Sequence, residues 1–248
     1  MKKLLVILFL ISGMNLTAQR ADNTPKAIII PLHINQMRVS EKRLSEHYNT
    51  PVPQDSSWFE YRTGSKKVLI VAGHAAAHMR EEKRQYADEG TGSLGIKLNH
   101  LADVSVFFTK YLSPSDPNYY DNNAFKDSLA IIIDQMKPII VIDLHCAHPY
   151  RPFDIDFGTM NGKSYLMRDD LLKDLKAALK NEGIINFSQD YFAAVKNKTI
   201  TKFVSNKGVP CIQLEINANY LSPDLGFVEG QKTAQLLQAL IRFIEHVE

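Results

Sequence analysis

Apolar positions along the chain fall into two kinds of pattern that alternate. Residues 68–71 form a compact β-branched run that stops at Ala72-Gly73-His74. Residues 139–144 form a second run, IIVIDL, which also stops at a histidine, and residues 211–216 form a third. Residues 26–32 and 104–108 read as two more strands. Short apolar runs bounded by turn signals suit strands covered on both faces. Between the runs the spacing changes to three and four. Leu94, Leu98 and Leu101, with Ile96 beside them, predict a helix over 91–102. Phe125, Leu129, Ile132 and Ile133 predict one over 121–136, and Pro138 ends it. Residues 168–180 are amphipathic, and Gly183 suits a C-terminal cap. A short helix is expected over 199–205, closed by Gly208. Leu236, Leu237, Leu240, Ile241 and Ile244 mark the core face of a closing helix over 227–246. Residues 38–65 are polar, irregular and rich in turn formers, and no element is predicted there. Strands alternating with helices predict an α/β fold: a single domain with a mixed, mostly parallel central sheet flanked by helices on both faces. No repeat, low-complexity segment or linker divides it.

The N-terminus changes the picture of where the chain works. Lys2 and Lys3 precede an almost unbroken apolar run over 4–11, and residues 12–18 are smaller and more polar. This is the three-part pattern of a secretory signal peptide, with cleavage expected near Ala18 or Gln19. The division is therefore a signal peptide over 1–19 and one domain over 20–248. Localisation is expected to be periplasmic or extracellular. The apolar run is too short to span a bilayer as a stable helix, and no later segment spans one. No cysteine lies near the cleavage site, which argues against a lipid anchor. Composition is ordinary for a globular chain, 45% hydrophobic and 23% charged over 248 residues. The formal net charge is +2 with scattered basic residues, so a nucleic acid is not the main partner, because phosphate binding needs a concentrated basic face. Cys146 and Cys211 sit in or beside apolar runs and are expected to be buried free thiols, although an export compartment permits a disulfide. The oligomeric state is not set by the sequence.

Three strand ends carry unusual residues: His74, His145 and Glu215. In open α/β sheets, ligands bind beyond the C-terminal ends of the strands, so the three can converge. Neutral imidazole is a common zinc ligand, and a glutamate beside a metal site can act as a general base. Taken singly, each has an ordinary reading as a hydrogen-bonded or edge-facing polar residue. The segment 74–92, HAAAHMREEKRQYADEGTG, is charged yet lies between an apolar strand and an amphipathic helix. Asp88 and Glu89 precede the predicted helix start, where the helix dipole favours carboxylates. Alternatively, one of them is a third zinc ligand. Two histidines, a carboxylate and one open position make a catalytic zinc site.

The ordered set GHAAAHMR, ADEGTG, DPNY, IDLHCA, RPFDIDFGT and IQLEIN resembles the N-formylglutamate amidohydrolase-like proteins, which share a fold with zinc carboxypeptidases and aspartoacylase-type deacylases. The resemblance runs from about Val68 to Tyr220. It implies that His74, Asp88 and His145 hold Zn2+, with Asp88 preferred to Glu89, and that Glu215 is the catalytic base. It implies that Arg80 and Arg151 are basic positions of the site, Arg151 holding a substrate carboxylate or a developing oxyanion. Asn118 matches the asparagine of a substrate-binding D-x-N-R element. Residues 196–202 lie where related proteins close over substrate, which gives Thr199 an expected pocket role beside its plain reading as a turn leading into a helix.

Departures shape the functional expectation. Tyr119 stands where the family's element has an arginine, and an upstream arginine has only Lys110 as its neighbour in place. N-formylglutamate itself is therefore not the expected substrate. His78 and His148 are extra histidines with structural roles expected. The main expectation is a secreted zinc-dependent amidohydrolase acting on a small-molecule N-acyl amino acid or a small peptide. A carboxypeptidase-like or cell-wall peptidase is the alternative enzyme, and a secreted binding protein with a degenerate metal site is the alternative of a different class. No G-x-S-x-G element is present, and Cys146 has no evident separate base.

Overall fold

A computed structural model describes residues 26–247. The expected signal peptide lies outside the described residues. In chain order the elements are α1 (Pro31–Ser45), β1 (Phe59–Arg62), β2 (Lys66–Ala72), β3 (His78–Arg80), β4 (Lys83–Gln85), α2 (Thr91–Ala102), β5 (Val104–Thr109), α3 (Ala124–Met136), β6 (Ile140–Ala147), β7 (Ile155–Gly158), α4 (Asp169–Asn181), β8 (Phe187–Gln189), α5 (Ile200–Asn206), β9 (Cys211–Asn217) and α6 (Phe227–Val247). Seven strands form one sheet in the order β1-β5-β2-β6-β9-β7-β8, and β3 and β4 form a separate hairpin. The four central strands run parallel, while β1 pairs antiparallel with β5 and β7 antiparallel with β9. The fold is thus the mixed, mostly parallel α/β sheet with helices on both faces that the alternation predicted.

Alternation along each strand assigns its two faces. Val68, Ile70 and Ala72 of β2, Ile140, Ile142 and Leu144 of β6, and Ile212, Leu214 and Ile216 of β9 pack in one cluster with Leu94 and Leu98 of α2, Leu175 of α4 and Leu240 of α6. Leu69, Val71, Val141 and Cys211 lie in a second cluster with Leu129 of α3 and Val204 of α5. The second face is where the strands turn polar: Asp143 and His145 follow Val141 at steps of two, and Gln213, Glu215 and Asn217 follow Cys211 in the same way.

The structure corrects two expectations about the chain's start and one helix boundary. Residues 26–30 are extended but do not join the sheet; the N–H groups of Ile28 and Ile29 are taken by the Gln238 side chain at 2.6 and 3.3 Å. The expected strand over 26–32 ends there because Pro31 opens α1, a position where its missing N–H costs nothing. α1 and β1 fill part of the stretch expected to be irregular. Only Ile34 and Met37 of α1 are buried, too few to print a helical stripe. α3 starts at Ala124, three residues after the expected start, because the Asn123 side chain accepts the Lys126 N–H at 2.9 Å and caps it. The hairpin, β7 and the edge strand β8 were not predicted. Both cysteines are free thiols. Among the described residues no helix is long and apolar enough to cross a membrane.

Candidate metal centre

Two loops at the C-terminal ends of β2 and β6 bring the histidines together. His74 follows β2 directly, and His145 sits near the end of β6 on its polar face. Asp88 arrives from the turn before α2, held by its N–H on the His74 carbonyl at 2.7 Å. Its Oδ2 lies 2.8 Å from His145 Nδ1 and 3.6 Å from His74 Nδ1. Asp88 does not cap α2. That helix begins at Gly90, in the left-handed region at φ 85°, with no side-chain cap, and Glu89 points to solvent. Of the two acids that the sequence left open, Asp88 faces both histidines and Glu89 is exposed.

The outward nitrogens of both rings face second carboxylates. His74 Nε2 lies 2.8 Å from Asp116 Oδ1, and His145 Nε2 lies 3.4 Å from Asp143 Oδ1. Asp116 is fully buried and is further tied by Arg80 at 2.6 Å and by the Asn118 N–H at 2.7 Å. Asp143, also fully buried, accepts the Thr201 hydroxyl at 3.1 Å through Oδ2, while its Oδ1 has no hydrogen-bond partner. Carboxylates behind imidazoles fix ring orientation and raise ligand basicity. Sequence reading gave neither aspartate a role. Their signal was a polar residue at a step of two within an apolar strand for Asp143, and a D-P turn for Asp116.

The donor set fits a divalent cation. His74, Asp88 and His145 offer ligand atoms within 4.8 Å of one another, two nitrogens and one oxygen, a set that suits zinc. His74, His78 and Asp116 form a second such group. It fits a cation less well, because Arg80 already places a positive charge 2.6 Å from Asp116. His78 instead stacks on His74, ring centroids 3.8 Å apart. Burial, aided by the neighbouring His74, pushes the His78 pKa down to about 3, so it stays neutral. Burial works against the protonated forms of His74 and His145, but Asp116 and Asp88 outweigh it for His74, and Asp143 and Asp88 for His145; both are raised. Burial also works to raise Asp88, yet its bonds to His145 and His74 hold it well below the ordinary carboxylate range.

A cavity of about 600 Å³ opens over these residues. Glu215 lines it from β9, in register with His145 across the sheet. Its Oε1 accepts the Gln213 side chain at 3.0 Å. Burial raises the Glu215 pKa to about 7; His145 opposes the shift and Asp88 adds to it. Arg80, Asn118 and Thr199 also line the cavity. Asn118 places Nδ2 3.1 Å from His145 Nε2 and accepts the Ile200 N–H at 2.7 Å. Thr199 caps α5, and its hydroxyl donates to the Ala194 carbonyl at 3.0 Å. Arg151 does not line the cavity. It is exposed, with its guanidinium 5.0 Å from the Phe192 ring and 5.6 Å from that of Tyr191. Those two rings belong to the wall formed by residues 190–197, which Asp156 ties down by accepting the N–H groups of Tyr191 and Phe192 at 3.1 and 2.8 Å. His148 is exposed against Tyr150.

Gly90 sets the direction of the Asp88 turn. A Cβ at this position would lie 2.5 Å from the Leu221 carbonyl oxygen, and the left-handed backbone disfavours any side chain. Gly90→Ala is expected to destabilise the fold by about 1–3 kcal/mol. Urea denaturation of the two proteins checks this, and an unchanged midpoint would mean the turn relaxes freely.

No protein-family profile and no curated protein sequence matches the chain. Solved structures do. A gene product of Agrobacterium tumefaciens, Atu2144, superposes with a TM-score of 0.54 at 12% identity over 77% of this chain and 94% of that one. The N-formylglutamate amidohydrolase of Ralstonia eutropha JMP134 gives 0.53 at 11% identity over 77% and 98%. A bacteriophage poly-gamma-glutamate hydrolase gives 0.52 at 15% identity over 81% and 96%. At these identities the likeness is one of fold, the mixed, mostly parallel α/β sheet flanked by helices.

Proposed function

We propose that this protein is a metal-dependent hydrolase of amide bonds, with His74, Asp88 and His145 as ligands and Glu215 as general base. One observation carries the reading: two imidazole Nδ1 atoms turn toward one carboxylate oxygen at the floor of the cavity that Glu215 also lines. Two structures sharing the fold are named as an amidohydrolase and a poly-gamma-glutamate hydrolase, which supports hydrolysis. A zinc ion held by the three ligands would supply Lewis acidity toward a carbonyl oxygen and a nearby water. The remaining chemistry belongs to the chain. Glu215, half-buried and poised near neutrality, takes a proton from the attacking water and returns it to the leaving nitrogen. Asp116 holds the His74 imidazole in orientation, and Asp143 lies behind that of His145. Arg80 is a basic group on the cavity wall, with Lys196 the other, and stabilises negative charge developing on the carbonyl oxygen. Asn118 and Thr199 shape the substrate side, and Arg151 stands outside the wall that Tyr191 and Phe192 form.

The cavity's size favours a peptide-like substrate over a single acyl amino acid. About 600 Å³ falls in the range of clefts that enclose drug-sized ligands. Export of the chain, inferred from its N-terminal pattern, would bring it to extracellular peptides. The test is a panel of amides given to the zinc-loaded protein: N-formylglutamate, N-acyl amino acids, short peptides with free C-termini and poly-γ-glutamate. Release of amino groups from the peptides, well above that from N-formylglutamate, is the expected result. No release from any of them sinks the hydrolase reading.

A further inference from the structure

α1 and the turn after it touch the loops that carry the proposed ligands. The Glu41 carboxyl oxygen Oε1 accepts the Gly90 N–H at 3.0 Å, two residues beyond Asp88. The same oxygen accepts the Tyr48 hydroxyl at 2.5 Å. The Tyr48 carbonyl accepts the Ala77 N–H at 3.1 Å, three residues beyond His74. Ala77 in turn accepts the Ser113 N–H at 2.8 Å, on the loop that leads to Asp116. Glu41 and Tyr48 therefore join the Asp88 turn to the His74 loop through one continuous chain of hydrogen bonds.

The pair sits where a carboxyl is costly. Tyr48 is only 2% exposed, and Glu41 Oε2 is buried with no hydrogen-bond partner. Burial raises the Glu41 pKa against the bonds from Tyr48 and Gly90. A buried polar atom left unmatched costs about 1–3 kcal/mol. An apolar pair would fill this space without that cost, but it would leave the Gly90 N–H with no acceptor and the turn free to rotate. Nothing else among the hydrogen bonds of the described residues takes the Gly90 N–H.

We infer that Glu41 and Tyr48 are positioning residues, a brace that sets the spacing between the His74 loop and the Asp88 turn and thereby tunes metal affinity. The inference rests on the reading of His74, Asp88 and His145 as ligands. It gives a role to the part of residues 38–65 in which the sequence showed none.

The test uses the full chain and two variants, Tyr48→Phe and Glu41→Gln. The first keeps the ring in the core and removes only the hydroxyl; the second keeps size and removes the charge, and serves if the first fails to fold. Zinc affinity is measured by competition with a colour-forming chelator. Amide exchange at Gly90, Ala77 and the core residue Leu214 is followed in the zinc-free proteins. Expected is a 10–100-fold loss of zinc affinity, the size usual for a group behind a ligand. Gly90 exchange should quicken while Leu214 keeps its wild-type rate. A merely structural hydroxyl would quicken core exchange and leave zinc affinity alone. Wild-type zinc affinity in a folded variant overturns the inference. Should the wild-type chain itself take up no zinc, the proposed function falls separately, and the exchange data judge the brace: unchanged Gly90 rates in both variants overturn it.

Discussion

Replacing Glu215 with Gln lowers kcat on a hydrolysed peptide by ~10²–10⁴-fold, the span of general acid–base catalysis, and leaves zinc uptake intact. Glu215 is not among the residues whose ligand atoms cluster for a cation, so metal content should not follow activity. The pH profile gives a second reading of the same group. The base form is needed, so the rate falls on the acid side of its pKa. Burial raises that pKa to about 7 in the metal-free fold, and a bound cation pulls it lower. The acid limb of kcat/KM should therefore lie at or below pH 7 and vanish in the variant. Misfolding would not account for such a loss. The folded pKa of about 7 exceeds the ordinary 4.5, so the folded state holds the proton more tightly. Stability from this group is present at low pH and is lost as pH rises from 4.5 toward 7. Above that window the charged, half-buried carboxylate costs up to roughly 3 kcal/mol, which Gln does not. The metal-free variant should thus melt at least as high as wild type at pH 8. A variant that melts normally and still hydrolyses at the wild-type rate would remove Glu215 from the mechanism.

The periodic elements were legible because their signals are strong and local. β2 and β6 are apolar on both faces through most of their length, and α2, α4 and α6 carry stripes that only a buried helix face explains. The segments that escaped are short, like the hairpin strands β3 and β4, or have partners far along the chain. β7 and β8 are strands of four and three residues, β8 at the sheet edge, and β1 is a four-residue edge strand placed by Trp58 and Phe59 against Phe107 and Phe125. α1 shows two buried residues in four turns, and its other inward group is the polar Glu41. The site divides in the same way. His74 and His145 end apolar strands, and that position marked them. Glu215 was visible for the same reason, but the steps of two from Gln213 to Asn217 carried further information: they put those three side chains on one face, the face of Asp143 and His145. Read for alternation and not only for apolar content, β6 and β9 would have announced a polar floor. Asp116 was harder, since a D-P pair in a loop signals a turn and says nothing of the histidine it will meet 42 residues away. Arg151 shows the limit from the other side. A basic residue in a motif gives charge but not direction, and here the side chain lies outside the wall formed by Tyr191 and Phe192.

Purified protein should hold about one zinc per chain, and His145→Ala should hold none. Three donors within 4.8 Å make a site with no ligand to spare, and removing an imidazole leaves two. His78→Ala gives the discriminating comparison. If the cation sat between His74, His78 and Asp116, the second group of possible donors, this variant would lose it; with Asp88 and His145 as ligands, it keeps it. Stability reads out the same event. Ligand that binds only the folded chain stabilises it by about 4 kcal/mol at a thousandfold excess over Kd, which for a chain of this size raises Tm by ~10 °C. The rise should appear in wild type and His78→Ala and be absent in His145→Ala. It should also fade in acid. His74 and His145 have raised pKa values, and each must give up a proton from the ligating nitrogen before it can bind, so uptake weakens as pH falls and protons appear on binding. Elemental analysis of the three proteins, with melting curves at pH 6 and pH 8, decides among the outcomes. Zinc lost from His145→Ala alone supports the ligand set and the hydrolase built on it. Zinc lost from His78→Ala moves the site to Asp116. No zinc in any of them, before or after its addition, takes away the metal chemistry and leaves a binding protein whose histidines and carboxylates neutralise one another as structure.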